Sequence, residues 1–211
     1  MVFTNPVFTE TALNEYYASL DTGQAQIVED ESDFYREIYT LGLNSIFKFI
    51  EKGAILDIGC SSGFFLDIAK ERGFSTLGVE LGLAEAELCE KRGHTVFTRP
   101  IDEINFKGKI DVITLWDVFE HIPSPSNYLQ SLSKILNEKG IVFMQIPNSG
   151  SLAAKIMRDE TKMFDGVEHV NLYNPAAIKQ TVEMNGFEII SLKSVISERS
   201  VINNYLSFND P

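Results

Sequence analysis

Asp57 is a carboxylate set inside an apolar run, Ala54-Ile55-Leu56-Asp57-Ile58, and a run of small residues follows it, Gly59-Cys60-Ser61-Ser62-Gly63. The apolar run reads as a buried parallel strand. An unpaired charge inside such a strand is costly, so Asp57 points to a ligand site rather than to an ordinary loop. Small residues let the backbone turn tightly and bring its N–H groups, and the N-terminus of the next helix, up to a ligand. A second acid, Glu80, closes the next apolar run. In register with the turn it suits the two hydroxyls of a ribose, which donate to two carboxylate oxygens. Further along stand Trp116, Asp117, Glu120 and His121, then Glu168 and His169. Of the three histidines, His94 reads as structural, whereas His121 and His169 are placed to take a proton near neutral pH. Asp117, Glu120 and His121 also spell D-x-x-E-H, two carboxylates and an imidazole that suit a divalent ion. The reading adopted here assigns no metal ligand.

These groups need elements to hold them. Strands are expected at 54–58, 74–80, 94–98, 111–115 and 140–146, with two more at 187–195 and 201–208. Helices are expected at 64–71, 83–91, 126–136 and 175–184. Asn174 serves the last as N-cap and Pro175 as its first residue. Alternating strands and helices, with continuously apolar strands, mean an α/β fold: an open, doubly wound, mostly parallel sheet of seven strands. Ligands of such sheets bind outside the carboxyl ends of the strands, where the acids above would stand. Residues 1–50 precede the first strand and read as a helical cap: loose up to residue 11, a short helix at 12–20, then a helix at 33–50. Phe34, Ile38, Leu41, Ser45 and Phe49 fall on one face of that last helix. Residues 51–211 form one ligand-binding unit. The stretch 147–173 is long for a connection, and a helix at 151–158 within it reads as a lid.

Composition limits the partners. The net charge is −12 and the pI about 4.7. That balance disfavours a nucleic-acid backbone or an anionic membrane, both of which need a basic patch. Cys60 and Cys89 make no disulfide framework, so a reducing cytoplasm is expected. No apolar stretch has transmembrane length, and no leader pattern opens the chain. The turn also lacks a dinucleotide fingerprint. Ser61 stands at the second glycine of G-x-G-x-x-G and Phe64 at the third, and no Walker lysine follows.

Leu56-Asp57-Ile58-Gly59-Cys60-Ser61-Ser62-Gly63 resembles the class I S-adenosylmethionine (SAM)-dependent methyltransferases. Gly78-Val79-Glu80, Asp111-Val112-Ile113, Asp117 to His121, Gly140 to Phe143 and Asn185-Gly186-Phe187 follow in that family's order. Glu168-His169 before Leu172-Tyr173-Asn174-Pro175 is similar to the ubiquinone-biosynthesis O-methyltransferases, the type 11 and 23 subgroup. The family's usual glycine is replaced by Ser61, which is small enough to keep the turn. The resemblance implies methyl transfer from SAM to a small-molecule acceptor, with oxygen as the acceptor atom and S-adenosylhomocysteine (SAH) as product. It implies that Asp57, Gly59, Cys60, Ser61 and Gly63 hold the methionine part and that Glu80, with Leu81 beside it, takes the ribose. Ile101 and Trp116 would flank adenine or sugar. Asp117 would lie near the methionine carboxylate or the acceptor entrance, and Tyr17 would close over the cofactor. His121 or His169 would be the general base. Some ubiquinone-type relatives carry a divalent cation at the D-x-x-E-H position. The alternatives are an aminopropyl- or other-group transferase on the same fold, and a non-catalytic domain that binds SAM or SAH.

Overall fold

The computed structural model describes residues 1–4, 9, 11–12, 32–157 and 168–194. In chain order the elements are β1 (Val2–Phe3), α1 (Ser32–Ile46), β2 (Ala54–Ile58), α2 (Phe64–Glu71), β3 (Ser75–Val79), α3 (Leu83–Lys91), β4 (Thr95–Phe97), β5 (Ile110–Trp116), α4 (Pro125–Ile135), β6 (Leu136–Gln145), α5 (Leu152–Met157), β7 (Asn171–Leu172) and α6 (Pro175–Met184). Five strands make one parallel sheet in the order β4-β3-β2-β5-β6. The order reverses at β2, so a crevice opens between the ends of β2 and β5.

Side chains alternate across the sheet, and two apolar clusters fill its two faces. Leu56, Ile58, Ile113 and Leu115 pack with Leu129, Leu132, Tyr173 and Ile178 on one face. Ile55, Val112 and Trp116 pack with Leu43, Ile46, Phe65 and Leu66 on the other. By that alternation Asp57 and Thr114, opposite one another in the β2–β5 register, belong to the second face, beneath α1 and α2. The expected start of α6 holds: the Asn174 side chain accepts from the Ala177 N–H at 2.9 Å, and Pro175 opens the helix.

Several expectations change. The sheet has five strands among the described residues, not seven. Residues 187–194 carry no strand, and the segment 201–208 lies outside the described residues. The fifth strand begins at Leu136, directly after α4, and its register with β5 shifts between Ile110 and Val112, so the apolar run from Gly140 marks only its regular half. The N-terminus is not loose throughout. Val2–Phe3 pairs antiparallel with Asn171–Leu172, and the Thr4 N–H donates to the Val170 carbonyl at 3.1 Å. Most of the short helix expected at 12–20, Tyr17 included, lies outside the described residues. The buried face of α1 is Gly42, Leu43 and Ile46, whereas Leu41 and Phe49 are exposed. The helix comes too close to the sheet for a side chain at position 42: a Cβ there would lie 2.3 Å from the Trp116 ring.

Candidate active site

The carboxyl end of β2 runs into the small-residue turn, whose backbone explains its composition. Gly59 and Gly63 have φ of 73° and 87°, and Ser61 adopts the same left-handed region at 46°. A Cβ at Gly59 would lie 2.6 Å from Val118, and one at Gly63 would lie 2.6 Å from the Cys89 sulfur. Ser61 is the one turn residue with a side chain in a conformation that costs it energy. Its buried hydroxyl oxygen has no hydrogen-bond partner among the described residues. Cys60 is buried with its sulfur 3.8 Å from that of Cys89, and both are free thiols.

Asp57 is buried within β2 and accepts a hydrogen bond of 2.6 Å from the Thr114 hydroxyl. Burial pushes its carboxyl up to about 8, the charge of Glu80 adds to this, and the Thr114 hydrogen bond opposes it. The group therefore stays largely protonated in the free protein at neutral pH. The unfolded chain ionises near 3.8, so the Asp57 contribution to stability is complete below that value. It is lost as pH rises through about 8. The melting temperature of the free protein is accordingly expected to fall from about pH 4 to about pH 8 and to level off above that, and Asp57→Asn to flatten the fall. Thermal unfolding of both proteins across that range checks it, and an unchanged slope in the variant assigns the titration elsewhere.

Glu80 stands just past β3. One of its oxygens accepts from the Ser61 N–H and the other from the Gly82 N–H, each at 2.9 Å. The carboxylate thus braces the turn from the neighbouring strand and keeps a further lone pair on each oxygen. Burial raises its carboxyl above the usual range, while the N–H groups of Gly82, Ser61 and Leu81 pull it back.

Ile101 and Trp116 lie on different faces of the sheet. Ile101 opens a short 3₁₀ turn, Ile101–Glu103, and is buried in the first apolar cluster. Trp116 is buried on the other face, against Tyr39, Phe65 and Phe143. Asp117 follows Trp116 with a φ of 51°, is exposed, and accepts from the Gln145 side chain at 2.9 Å. Leu81 lies in the short link between β3 and α3, beside Glu80.

Past Asp117 the chain makes a 3₁₀ turn, Phe119–His121. Glu120 is fully buried there, and neither carboxylate oxygen has a hydrogen-bond partner among the described residues, although Oε1 lies 3.9 Å from the His121 Nε2. His169 comes back to the same place from a distant part of the sequence, because the Val170 N–H donates to the Glu120 carbonyl at 3.1 Å. The rings of His121 and His169 are 4.8 Å apart. One ligand atom each from Glu120, His121 and His169 lies within 4.8 Å of the others. Burial raises the Glu120 carboxyl well above its ordinary value, and Asp117 adds to this. The Tyr173 hydroxyl, buried and unpartnered, faces the same acid and is raised too, by burial first. Two imidazoles, a buried acid and a phenol can move a proton or hold a divalent ion. The orphaned Glu120 oxygens fit such an ion. Asp117 does not join them, in contrast to the D-x-x-E-H pattern, which had no way to show that His169 takes its place.

A family profile described as a methyltransferase domain matches residues 33–192. The chain belongs to this family of SAM-dependent methyltransferases. Its fold is theirs as well. The magnesium protoporphyrin IX methyltransferase of Synechocystis PCC 6803, crystallised with bound SAH, superposes with a TM-score of 0.67 at 15% identity, covering 87% of this chain and 91% of that one. A SAM-dependent methyltransferase from Thermotoga maritima gives 0.62 at 19% identity, covering 78% of each chain. The ubiquinone biosynthesis O-methyltransferase of Pseudomonas aeruginosa is 30% identical over 102 residues, 44% of either chain. The chain thus spans less than half the length of the curated relatives it matches.

The histidine outside these groups is structural in its contacts. His94 is buried, with one ring nitrogen 2.8 Å from the Thr76 hydroxyl and the other 3.0 Å from Asp67. Among the residues the sequence reading passed over, Thr114 and Tyr39 matter most. Thr114 carried a signal, a lone hydroxyl within the apolar run Ile110–Trp116. Tyr39 carried none. No helix among the described residues is long and apolar enough to cross a membrane.

Proposed function

We propose that this methyltransferase moves the methyl group of SAM to an oxygen of a small-molecule acceptor. The observation that carries the reading is the meeting of His121 and His169 beside Glu120, at the end of β5 that borders the cofactor crevice. An oxygen acceptor must lose a proton as it attacks, and an imidazole there can receive it. Asp57 and the turn from Gly59 to Gly63 hold the methionine part, and Glu80 offers its spare lone pairs to the ribose hydroxyls. The sulfonium loses its charge as the methyl leaves, so a site that excludes water favours transfer. Alignment of acceptor, methyl and sulfur supplies the rest. The helix Leu152–Met157 lies in the stretch between β6 and His169 and acts as the lid of the acceptor side. Formation of SAH from SAM, followed by mass spectrometry against panels of phenols, alcohols, carboxylates and amines, tests the reading. Turnover with amines alone overturns oxygen as the acceptor atom. Binding of SAM without turnover on any panel favours a non-catalytic domain.

The Glu120 oxygens, which have no hydrogen-bond donor among the described residues, support a second feature, a divalent ion held by Glu120, His121 and His169. Such an ion would polarise the acceptor oxygen as a Lewis acid. Metal content after incubation with manganese or zinc and desalting is expected to approach one ion per chain. It is expected to fall to background in Glu120→Gln and to persist in Asp117→Asn. Equal metal content in all three proteins rules the site out.

A further inference from the structure

Tyr39 belongs to α1 but reaches over the crevice between β2 and β5. Its ring centroid lies 4.7 Å from that of Trp116 and 5.5 Å from that of Phe65. Phe64 and Tyr35 follow at 6.1 and 5.8 Å. Trp116 immediately precedes Asp117, and Phe64 and Phe65 immediately follow the turn, so these contacts fix Tyr39 between the two ends of the site. Gly42, one helical turn further on, makes the approach feasible, since a Cβ there would collide with Trp116 and Phe143 at 2.3 and 2.9 Å. Aromatic rings back the tyrosine, yet its side chain is only half-buried. Two carboxyl groups, Asp57 and Asp117, act on its phenol, which burial, together with these acids and Tyr35, holds above its ordinary range. The phenol therefore stays neutral. The other groups facing Asp57 are Thr114 and Glu80. With Asp57 largely protonated in the free protein, the features that attract a cation here are the electron-rich ring and the Asp117 carboxylate beside it.

We propose that Tyr39 is the specificity-determining residue that makes the site prefer the charged sulfur of SAM over the neutral sulfur of SAH. This rests on the cofactor reading above. SAM and SAH share adenosine, ammonium and carboxylate, so Glu80 and the turn treat them alike. They differ in one methyl group and one positive charge, and a ring face distinguishes that charge directly. The ring holds the substrate form and relaxes its hold once the methyl has left, which favours product release.

Dissociation constants for SAM, SAH and the cationic amine analogue sinefungin test the proposal in the wild type, Tyr39→Phe and Tyr39→Leu. Tyr39→Phe keeps the ring and is expected to keep the SAM-to-SAH preference within about threefold. Tyr39→Leu is expected to weaken SAM and sinefungin about tenfold, with SAH changed by less than about threefold, the size of a desolvated cation–π contact. Equal weakening of all three ligands, or no change, overturns the proposal and leaves Tyr39 as packing. Wild-type protein that binds none of the three overturns the cofactor reading and the Tyr39 role with it. If Tyr39→Leu does not fold, phenylalanines of increasing fluorination at position 39 replace it. SAM affinity must then fall with each fluorine while SAH affinity stays flat, and parallel trends overturn the proposal.

Discussion

His169→Ala and His121→Ala are each expected to lower kcat by about 10²–10⁴, the usual contribution of a positioned general base, with SAM affinity unchanged. The two rings come from separate segments of the chain and meet at 4.8 Å beside the buried Glu120. The turn and Glu80 follow β2 and β3, whereas the two rings meet beyond the end of β5, so SAM affinity is expected to hold. The double variant is expected to lose little more than the worse single one, because residues that act as a unit are not additive. Added imidazole restores part of the activity if the lost ring carried the proton. Restoration by excess manganese or zinc instead marks a metal ligand. His94→Ala is the contrasting case. Its ring is held by Thr76 and Asp67 inside the sheet's helical layer. Its loss is expected to lower the melting temperature by several degrees, as burying orphaned polar partners does, with kcat per folded molecule preserved. If His94→Ala loses activity as His169→Ala does, the assignment of the base to His121 or His169 fails.

The architecture was legible where residues speak for their own segment. The apolar run Ala54–Ile58, the small-residue turn and the Asn174-Pro175 helix start all hold, because each follows from local chain chemistry. The errors lie where tertiary contact decides. The face of α1 depended on Gly42 fitting against Trp116, a contact between distant segments that no helical period contains. The N-terminal residues looked loose because a two-residue strand has no pattern of its own and exists through its partner Asn171–Leu172.

The same distinction applies to the site. Asp57 and Glu80 were visible as acids that apolar strands do not need, yet what surrounds them was not. Thr114 meets Asp57 only through the β2–β5 register, and Ser61 meets Glu80 through its backbone. His169 joins His121 through a backbone hydrogen bond between Val170 and Glu120. Sequence spacing favoured Asp117 as the companion of Glu120 because the two share a turn. A φ of 51° and the bond to Gln145 turn Asp117 toward solvent, on the crevice side.

Glu80→Ala is expected to weaken SAM by more than about 100-fold, from the loss of two charge-assisted hydrogen bonds of roughly 1.5–3 kcal/mol each. Both carboxylate oxygens already accept a backbone N–H, from Ser61 and from Gly82. The substitution therefore removes a brace from the turn as well as the ribose contact, and affinity alone cannot separate the two. A double-mutant cycle with 2′-deoxy-SAM does. If Glu80 grips the ribose, the deoxy cofactor has already lost one of the bonds, and Glu80→Ala weakens it about tenfold less than it weakens SAM. If Glu80 only shapes the turn, the substitution weakens both cofactors equally, and the ribose assignment falls. Glu80→Gln sharpens the contrast. Its amide keeps one acceptor oxygen for a backbone N–H but sets an NH₂ donor against the second N–H donor. Its affinity for SAM is expected to stay within about tenfold of that of the alanine variant, with a lower melting temperature than the wild type.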